Sequence, residues 1–519
     1  MNGPPTRRRL VAAVAASALA AALRPGVGRA GPLPRFVGYP FMLGVASGYP
    51  TPGGFTLWTR LAPAPLSPDG GMPPEGIELT WEVAGDEAFT QVVAAGTAGA
   101  FPEHAHAVRV DVAGLQPARW YHYRFRAGHE VSPVGRTRTA DAPGSTPGAL
   151  RFGVGSCQHF EHGYYAAHRH LAGEGLDLML FLGDYIYEAS WGDDRVRQHL
   201  GDETITLADY RVRYGQYRSD PDLQALHAAV PWLLMWDDHE VDNDWAAGES
   251  EHLDPRFLLR RAAAFQAFFE HMPLPASMRV LPGESRLYHA LDFGDLARFA
   301  ITDDRQYRDP QPCPDPAKVG GSRRVPRSAC PDLGDPRRTM LGQAQEAWLD
   351  TTLTSSRARW NVLATQSLLA PRTVGTGPDA VAWTDGWDGY PAARQAFIER
   401  LRKRKVANPL VVGGDIHATV VADIHLDPEN PDTPLVASEV CGTSISSQGI
   451  TQADSELAER THPHLRYVNN WQRGYVVMDL TPGNARMRLR TVNEKDRHSD
   501  VQTTASFVVE AGRPGWTRA

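Results

Sequence analysis

Five apolar runs in this chain each stop on side chains that can bind a cation or move a proton. FGVGS is followed by Cys157. LDLMLFLG is followed by Asp184 and, three residues on, Tyr187. VPWLLMW is followed by Asp237, Asp238 and His239, WNVLAT by Gln366, and NPLVVGG by Asp415 with His417. A buried strand needs none of these groups in order to fold. Ligands of open α/β sheets gather beyond the carboxyl ends of strands, so the set reads as a metal site at a sheet edge. Oxygen donors suit hard cations, whereas thiolate and imidazole suit transition metals. A phenol has a pKa of ~10 and ligates well only after losing its proton, which calls for a strong Lewis acid. Ferric iron fits a Cys, Asp, Tyr and His shell better than zinc or magnesium does, and the remaining carboxylates suit a second, harder divalent ion. Two ions about 3.5–4 Å apart can activate water and clamp a phosphoryl oxygen. Taken singly, a strand-ending Asp is a turn and WDDHE is a helix cap. The combination carries the chemistry.

The elements that must position these residues follow from the pattern around them. From residue 150 onward, near-continuous apolar runs of strand length alternate with segments of helical length such as FLLRRAAAFQAFFEHM and GQAQEAWLDTTLTS. This alternation predicts an α/β layered domain over 150–510. The runs RGYVVMDLTPGNARMRLRTV and SFVVEAG predict antiparallel strands completing a sheet. Residues 36–142 read differently. FTLWTRL, IELTWEV, HAVRVDV and YHYRFRA are short β-rich runs between Gly/Pro turns, with Trp81 early and Tyr121 late. That is the pattern of an immunoglobulin-like or fibronectin III-like sandwich. Residues 143–149, Pro/Gly/Ser-rich, read as a linker.

The first thirty residues read as an export signal. Arg7, Arg8 and Arg9 precede the apolar run VAAVAASALAAAL, and Gly28-Arg29-Ala30 supplies a small-residue cleavage site. The adjacent arginines resemble a twin-arginine signal, which implies the twin-arginine export machinery as a partner and a periplasmic or secreted product. The run is short of the ~20 residues of a spanning helix, so no transmembrane anchor is expected. The segment holds five arginines and no acid, so its removal takes the net charge from −7 to −12. With no basic stripe, a stable nucleic-acid partner is excluded as the main task. Cys313 and Cys330 bracket a Pro/Gly/Arg-rich loop and predict a disulfide in an exported chain. Cys157 and Cys441 end apolar runs. A second disulfide between them is the alternative to a ligand role for Cys157.

As an ordered set, GSCQ, GDYIYE, WDDHE, RTMLGQAQEAWL, LATQ, GGDIH and GTSISS, with GVASGYPT and LWTRL near the N-terminus, resemble the PhoD-type alkaline phosphatases and phosphodiesterases. These belong to the calcineurin-like metallophosphatases. The resemblance spans about 37 to 500. It implies a layered sandwich of two mixed β-sheets flanked by helices and preceded by the small β domain. It also implies hydrolysis of phosphate monoesters and diesters by a metal-activated hydroxide, with Fe3+ and one or two Ca2+ ions. Related purple acid phosphatases bind ferric iron through Asp, a bridging Asp, Tyr and His. Cys157 stands where the first Asp would be, followed by Asp184 as bridge, Tyr187 and His417. Asp238 and Asp415 fall at second-metal positions, and His239 matches the catalytic histidine that supports the leaving group. Asn243, Gln366 and Asp237 are further candidates for metal or phosphate, and Arg211, Arg218 and Arg305 for a phosphate clamp. In TDDRQYRD, either Asp303 or Asp304 could point inward. The thiol of Cys441 is expected in the core, and the protein is expected to be a monomer acting on a phosphoester substrate. Two other readings are a narrow diesterase on phospholipid or cell-wall polymer, and a calcium-dependent surface-binding protein.

Overall fold

The computed structural model describes residues 34–278, 285–315, 320–449, 456–457 and 460–519. The expected signal, residues 1–30, lies outside them. Phe36–Ala519 forms one compact unit. Among the described residues, no helix is long and apolar enough to cross a membrane.

Two mixed sheets dominate the unit. The larger, ten-stranded sheet is centred on three parallel strands, Leu150–Gly155, Leu178–Phe181 and Trp232–Leu234. Leu178–Phe181 is LMLF and wholly buried, as a strand covered on both faces must be. On one side the sheet continues through the antiparallel strands Arg473–Leu480, Asn484–Val492, Gln502–Glu510 and Arg513–Arg518. The seven-stranded sheet has its own parallel centre, Ala297–Ile301, Trp360–Ala364, Pro409–Gly413 and Leu435–Cys441. The sheets pack face to face through one apolar cluster. In it Phe152 of the first meets Phe299 of the second edge-on, with ring centroids 5.1 Å apart. Such a pair adds about 0.5–1.5 kcal/mol to its area burial and fixes the spacing of the layers.

The N-terminal region contributes to two sheets. Ile77–Ala84, Val92–Ala100 and Trp120–Ala127 are the long strands of a separate five-stranded sheet, with Val92–Ala100 at its edge. The backbone N–H of Gln116 donates to the Tyr121 hydroxyl at 3.1 Å, which is the corner tyrosine the pattern implied. Val45–Thr51, Gly54–Arg60 and Ala107–Val112 instead extend the large sheet, since Gly48 pairs in parallel with Trp232. Residues 143–149 carry no helix or strand but are docked. Asp295 N–H donates to the Ser145 carbonyl at 2.7 Å, and Gly144 N–H to the Asp295 carboxylate at 3.1 Å.

The helices end where their caps dictate. Thr206 and Asp209 form a reciprocal capping box at the start of Leu207–Arg218. Asp220 caps Pro221–Ala229, with proline in the first turn. Phe257–His271 buries Ala264, Phe265 and Phe268, and Phe265 stacks on Trp236 at 4.0 Å. This fixes the chain just before Asp237.

Cys313 and Cys330 form the expected disulfide, while Cys157 and Cys441 are free and buried. Cys330 packs with Val325, Leu333 and Ala382. Closing a loop of this length stabilises by about 3 kcal/mol in the chain-entropy model. A Cys313→Ser/Cys330→Ser double variant is therefore expected to unfold at lower denaturant concentration and to be cut by protease between residues 313 and 330. An unchanged midpoint and cleavage pattern would contradict this.

Candidate metal centre

Each candidate ligand sits a few residues past the carboxyl end of a central strand. Cys157 follows Leu150–Gly155, Asp184 follows Leu178–Phe181, Asp237 and Asp238 follow Trp232–Leu234, and Asp415 and His417 follow Pro409–Gly413. The backbone turns sharply at these points. Cys157, Asp184, Asp415 and His417 all have positive φ, between 52° and 68°. Side-chain-bearing residues pay roughly 1–3 kcal/mol for such conformations, which persist where surrounding structure over-determines them. Gly183 is required beside Asp184, because a Cβ there would lie 2.6 Å from the Asp237 nitrogen.

Glu240 supplies much of that over-determination. Its buried carboxylate accepts from the backbone N–H groups of Asp184 at 3.1 Å and Asp237 at 2.7 Å, tying two ligand loops together. Burial raises its pKa to about 8, against these hydrogen bonds. The Cys157 loop is tied in by its own backbone, with Cys157 N–H donating to Gly183 O and Gln158 N–H to Asp184 O.

Cys157, Asp184 and His417 bring ligand atoms within 4.8 Å of one another. Tyr187 joins them: its hydroxyl donates to Asp184 Oδ2 at 2.8 Å and lies 3.0 Å from His417 Nε2. The tautomer of His417 follows from Nδ1, which is 2.7 Å from the Gln448 carbonyl. A carbonyl only accepts, so Nδ1 carries the hydrogen and Nε2 turns its lone pair toward Tyr187 and Asp184. Burial, followed by the charge of Arg473, lowers the His417 pKa to about 3 and keeps the ring neutral. Burial and Asp184 raise the Cys157 thiol well above its usual value, and burial likewise raises the Tyr187 phenol. Asp184 Oδ1 is buried with no hydrogen-bond partner. Thiol, carboxylate, phenol and imidazole lone pair thus converge on one point, and a cation with high charge density fits that donor set.

A second group, Asp237, Asp238 and Asp415, lies next to it, and a third is formed by Asp238, Asp244 and Asp385. Arg305 threads between them. Fully buried, it pairs with Asp237, with Asp385 at 2.6 Å, with Asp415 at 3.1 Å and with Asp238 at 3.7 Å. Burial lifts the Asp237 pKa to about 7 despite Arg305, and Asp237 Oδ2 has no hydrogen-bond partner. Asp238 is lowered: burial raises it, but Arg305 and His239 outweigh burial.

His239 is held by a residue the sequence reading missed. Its Nδ1 lies 2.7 Å from Glu188 Oε2, while Glu188 Oε1 accepts from Asn243 N–H at 3.1 Å. Burial pulls the imidazole down, but Glu188 and then Asp238 outweigh it and leave the pKa well above its usual value. The ring centroid lies 4.1 Å from that of Tyr187, with the planes tilted by 33°. Glu188, Glu240, Asp244 and Asp385 all belong to the site neighbourhood. The acid ending GDYIYE and the acid ending WDDHE were in view as signals, whereas nothing local marked Asp385.

Several expected residues do other work. Arg211 is held by Glu270 at 2.6 and 2.7 Å, away from the site. Arg218 is buried over Trp58 at 4.0 Å and bonds the Tyr185 hydroxyl. Arg305 is committed to carboxylates. All three guanidiniums are engaged by protein groups in this structure. The Gln366 amide accepts from Asp304 N–H and donates to the Trp236 carbonyl, so it braces backbone. Asp303 and Asp304 both point into the protein, Asp303 toward Trp236 Nε1 and Asp304 toward Thr302 and Thr365. The Asn243 amide donates to Glu251 at 3.0 Å. The Cys441 thiol lies in the core of the second sheet and contacts Gly414 O.

The site opens into a cleft of about 890 Å³ that reaches from Asp184 and His239 to Trp383 and Val374. Residues 152–489 match the family model described as PhoD-like phosphatase, and 29–141 match its N-terminal domain. The chain is 43% identical over 493 residues to alkaline phosphatase D of Bacillus subtilis (strain 168), covering 93% of this chain and 83% of that protein. It is also similar to a solved structure of PhoD, with a TM-score of 0.88 and 42% identity, over 94% of this chain and 93% of that one. The layered sheets, the ligand loops at their carboxyl edges and this likeness over nearly the whole chain make it a member of the PhoD-like phosphatases, a phosphoric ester hydrolase.

Proposed function

We propose that the chain is an exported alkaline phosphatase and phosphodiesterase that acts on monoesters and diesters with Fe3+ and one or two Ca2+ ions. The convergence of a thiol, a phenol, a carboxylate and an imidazole lone pair at Cys157, Tyr187, Asp184 and His417 supports this reading most. Those four would hold the iron. Asp184, with Oδ1 unpartnered, would bridge to calcium, and Asp237, Asp238 and Asp415 offer the harder oxygen donors. When bound, such ions supply Lewis acidity that polarises a phosphoryl oxygen and lowers the pKa of water. The protein's own part is to fix geometry and handle the leaving-group proton. Glu188 fixes His239 through Nδ1, which leaves Nε2–H as the proton available to an alkoxide leaving group. Arg305 keeps the carboxylates apart and in place. The arginine-flanked N-terminal segment supports export through the twin-arginine route, which carries folded, metal-loaded proteins. Residues 36–142 act as a packing and spacing domain beside the catalytic residues 150–510, and the enzyme works as a monomer.

Cys157→Ala is expected to lose iron, measured by elemental analysis, together with most activity, while Cys441→Ala keeps both. Full iron in the Cys157 variant would refute the assignment. His239→Ala is expected to keep its metals and lose 10²–10⁴-fold on alkyl phosphates, with a much smaller loss on nitrophenyl phosphate, whose leaving group departs without a proton. Glu188→Gln should shift in the same direction by a smaller factor. Equal losses on both substrates with missing metal would make His239 a ligand.

A further inference from the structure

A group of buried rings beside Tyr187 and His417 takes no part in the chemistry above. The ring centroid of His159 lies 4.4 Å from Tyr187, 3.8 Å from His162 and 5.0 Å from His199. His159, Glu161 and His199 bring donor atoms together, but they suit no further metal. Arg213 lies 3.2 Å from His199 Nδ1 and Arg195 pairs with Glu161 at 3.4 Å, and two guanidiniums repel an added cation.

His162 is placed differently, because both of its ring nitrogens end on backbone. Nδ1 accepts from Gln448 N–H at 3.1 Å, and Nε2 lies 2.8 Å from the Trp191 carbonyl. A carbonyl only accepts, so Nε2 carries the hydrogen and Nδ1 offers its lone pair. Each nitrogen thereby holds a residue that touches His417. The carbonyl of Gln448 receives His417 Nδ1–H at 2.7 Å. The indole of Trp191 stacks on the His417 imidazole, with centroids 5.8 Å apart and planes within 8°, and both rings line the cleft. Trp191 Nε1 is buried with no hydrogen-bond partner, so its own N–H does not hold the indole there.

The crossing is tight. A Cβ on Gly192 would lie 2.7 Å from His162 Nε2, so only glycine lets the segment after Trp191 pass this close. Gln448 is fixed on its other side as well. In the peptide that carries its N–H, the Ser447 carbonyl accepts from Arg473 at 2.9 Å and from the Ser444 hydroxyl at 2.6 Å. With both ends of that peptide held, the direction of the next carbonyl, the one facing His417, is held too.

We propose that His162 is a positioning residue for the metal ligand His417 and sets how firmly the site keeps its iron. The inference rests on the iron reading of Cys157, Asp184, Tyr187 and His417. It adds to that set a residue that makes no hydrogen bond to any of the four among the described residues. A ligating imidazole binds best when its lone pair is aimed at the metal, and the hydrogen bond at its other nitrogen sets that aim. His162 fixes the carbonyl that takes this hydrogen bond. It also fixes the indole that lies against the ring. The polar path carries most of the effect, because it governs the direction of the lone pair.

The two links can be separated by amide substitution. Asparagine at this position puts an amide oxygen about where Nδ1 lies, and glutamine puts an amide nitrogen about where Nε2 lies. His162→Asn therefore keeps the acceptor for Gln448 N–H, whereas His162→Gln keeps only the donor for the Trp191 carbonyl. The test uses purified full-length enzyme, with iron measured by elemental analysis before and at intervals after adding excess ferric chelator. His162→Ala is expected to release iron about tenfold faster than wild type. His162→Asn should restore most of the retention and His162→Gln little of it, while the metal-free Asn and Gln variants unfold at similar temperatures. Trp191→Ala should release iron faster than Trp191→Phe, which keeps a ring face. Wild-type retention in His162→Ala, or retention in His162→Gln equal to or better than in His162→Asn, overturns the proposal. Loss of fold in both amide variants also overturns it, by assigning His162 to folding alone. Absence of iron from wild type would instead remove the iron reading itself.

Discussion

The buried guanidinium of Arg305 is the interaction on which the site depends. Asp237, Asp238, Asp385 and Asp415 surround it, and all are withdrawn from water or nearly so. Burying unpaired carboxylates costs several kcal/mol each, and mutual repulsion adds to that. One planar cation with donors in several directions offsets part of this and fixes the direction in which each acid points. The compensation is incomplete. Asp237 still sits near neutrality with one oxygen unpartnered, and Asp184 and Asp415 remain strongly raised by burial. A site arranged in this way is selective for added positive charge, because a cation relieves a penalty that the fold already carries.

Backbone strain is distributed in the same place for a related reason. The parallel strands deliver their ends to one edge, but a donor atom reaches the shared centre only if the chain doubles back within two or three residues. Positive φ at Cys157, Asp184, Asp415 and His417 achieves that. Glu240 and the Ser447 hydroxyl, which lies 2.8 Å from Cys157 O and 2.7 Å from Tyr187 Oη, hold the turns from both sides. The apolar layers beneath supply the rigidity. Stacking of Trp236 on Phe265 anchors one loop, and the Phe152–Phe299 pair holds the two sheets in register.

Beyond the centre, the cleft divides by chemistry. The side near Glu188, Asp242 and Glu251 consists of acids satisfied by neighbours, whereas the disulfide-braced ribbon Arg324–Pro326 and Val381–Trp383 presents the exposed ring of Trp383. The centre is buried and pre-shaped, which suits a reaction common to all phosphoesters.

The sequence alone pointed to the alternation of strands and helices after residue 150, the disulfide, and the candidate donors at the strand ends. Those features are local: apolar runs of strand length, a polar residue at each end, two cysteines around a loop. Tyr187 and His417 could be named only through the ordered set of motifs and the family resemblance, because neither motif is specific alone. The roles of the arginines could not be read, since Arg211, Arg218 and Arg305 look alike in one dimension and differ only in which carboxylates or rings surround them. Gln366 followed a strand as a ligand would, yet its amide meets Asp304 and Trp236 from other strands. Asp385 lies in a Gly/Asp/Trp-rich loop with no ligand signature and becomes important only because the sheets bring it to Arg305 and Arg308. The β-rich residues 36–142 read as a sandwich, but only tertiary pairing of Gly48 with Trp232 decided that three of their strands extend the catalytic sheet. Periodicity and motif spacing report what a segment can form. Charge compensation and strand pairing across the chain are sums over partners far apart in sequence, and those only the folded structure brings together.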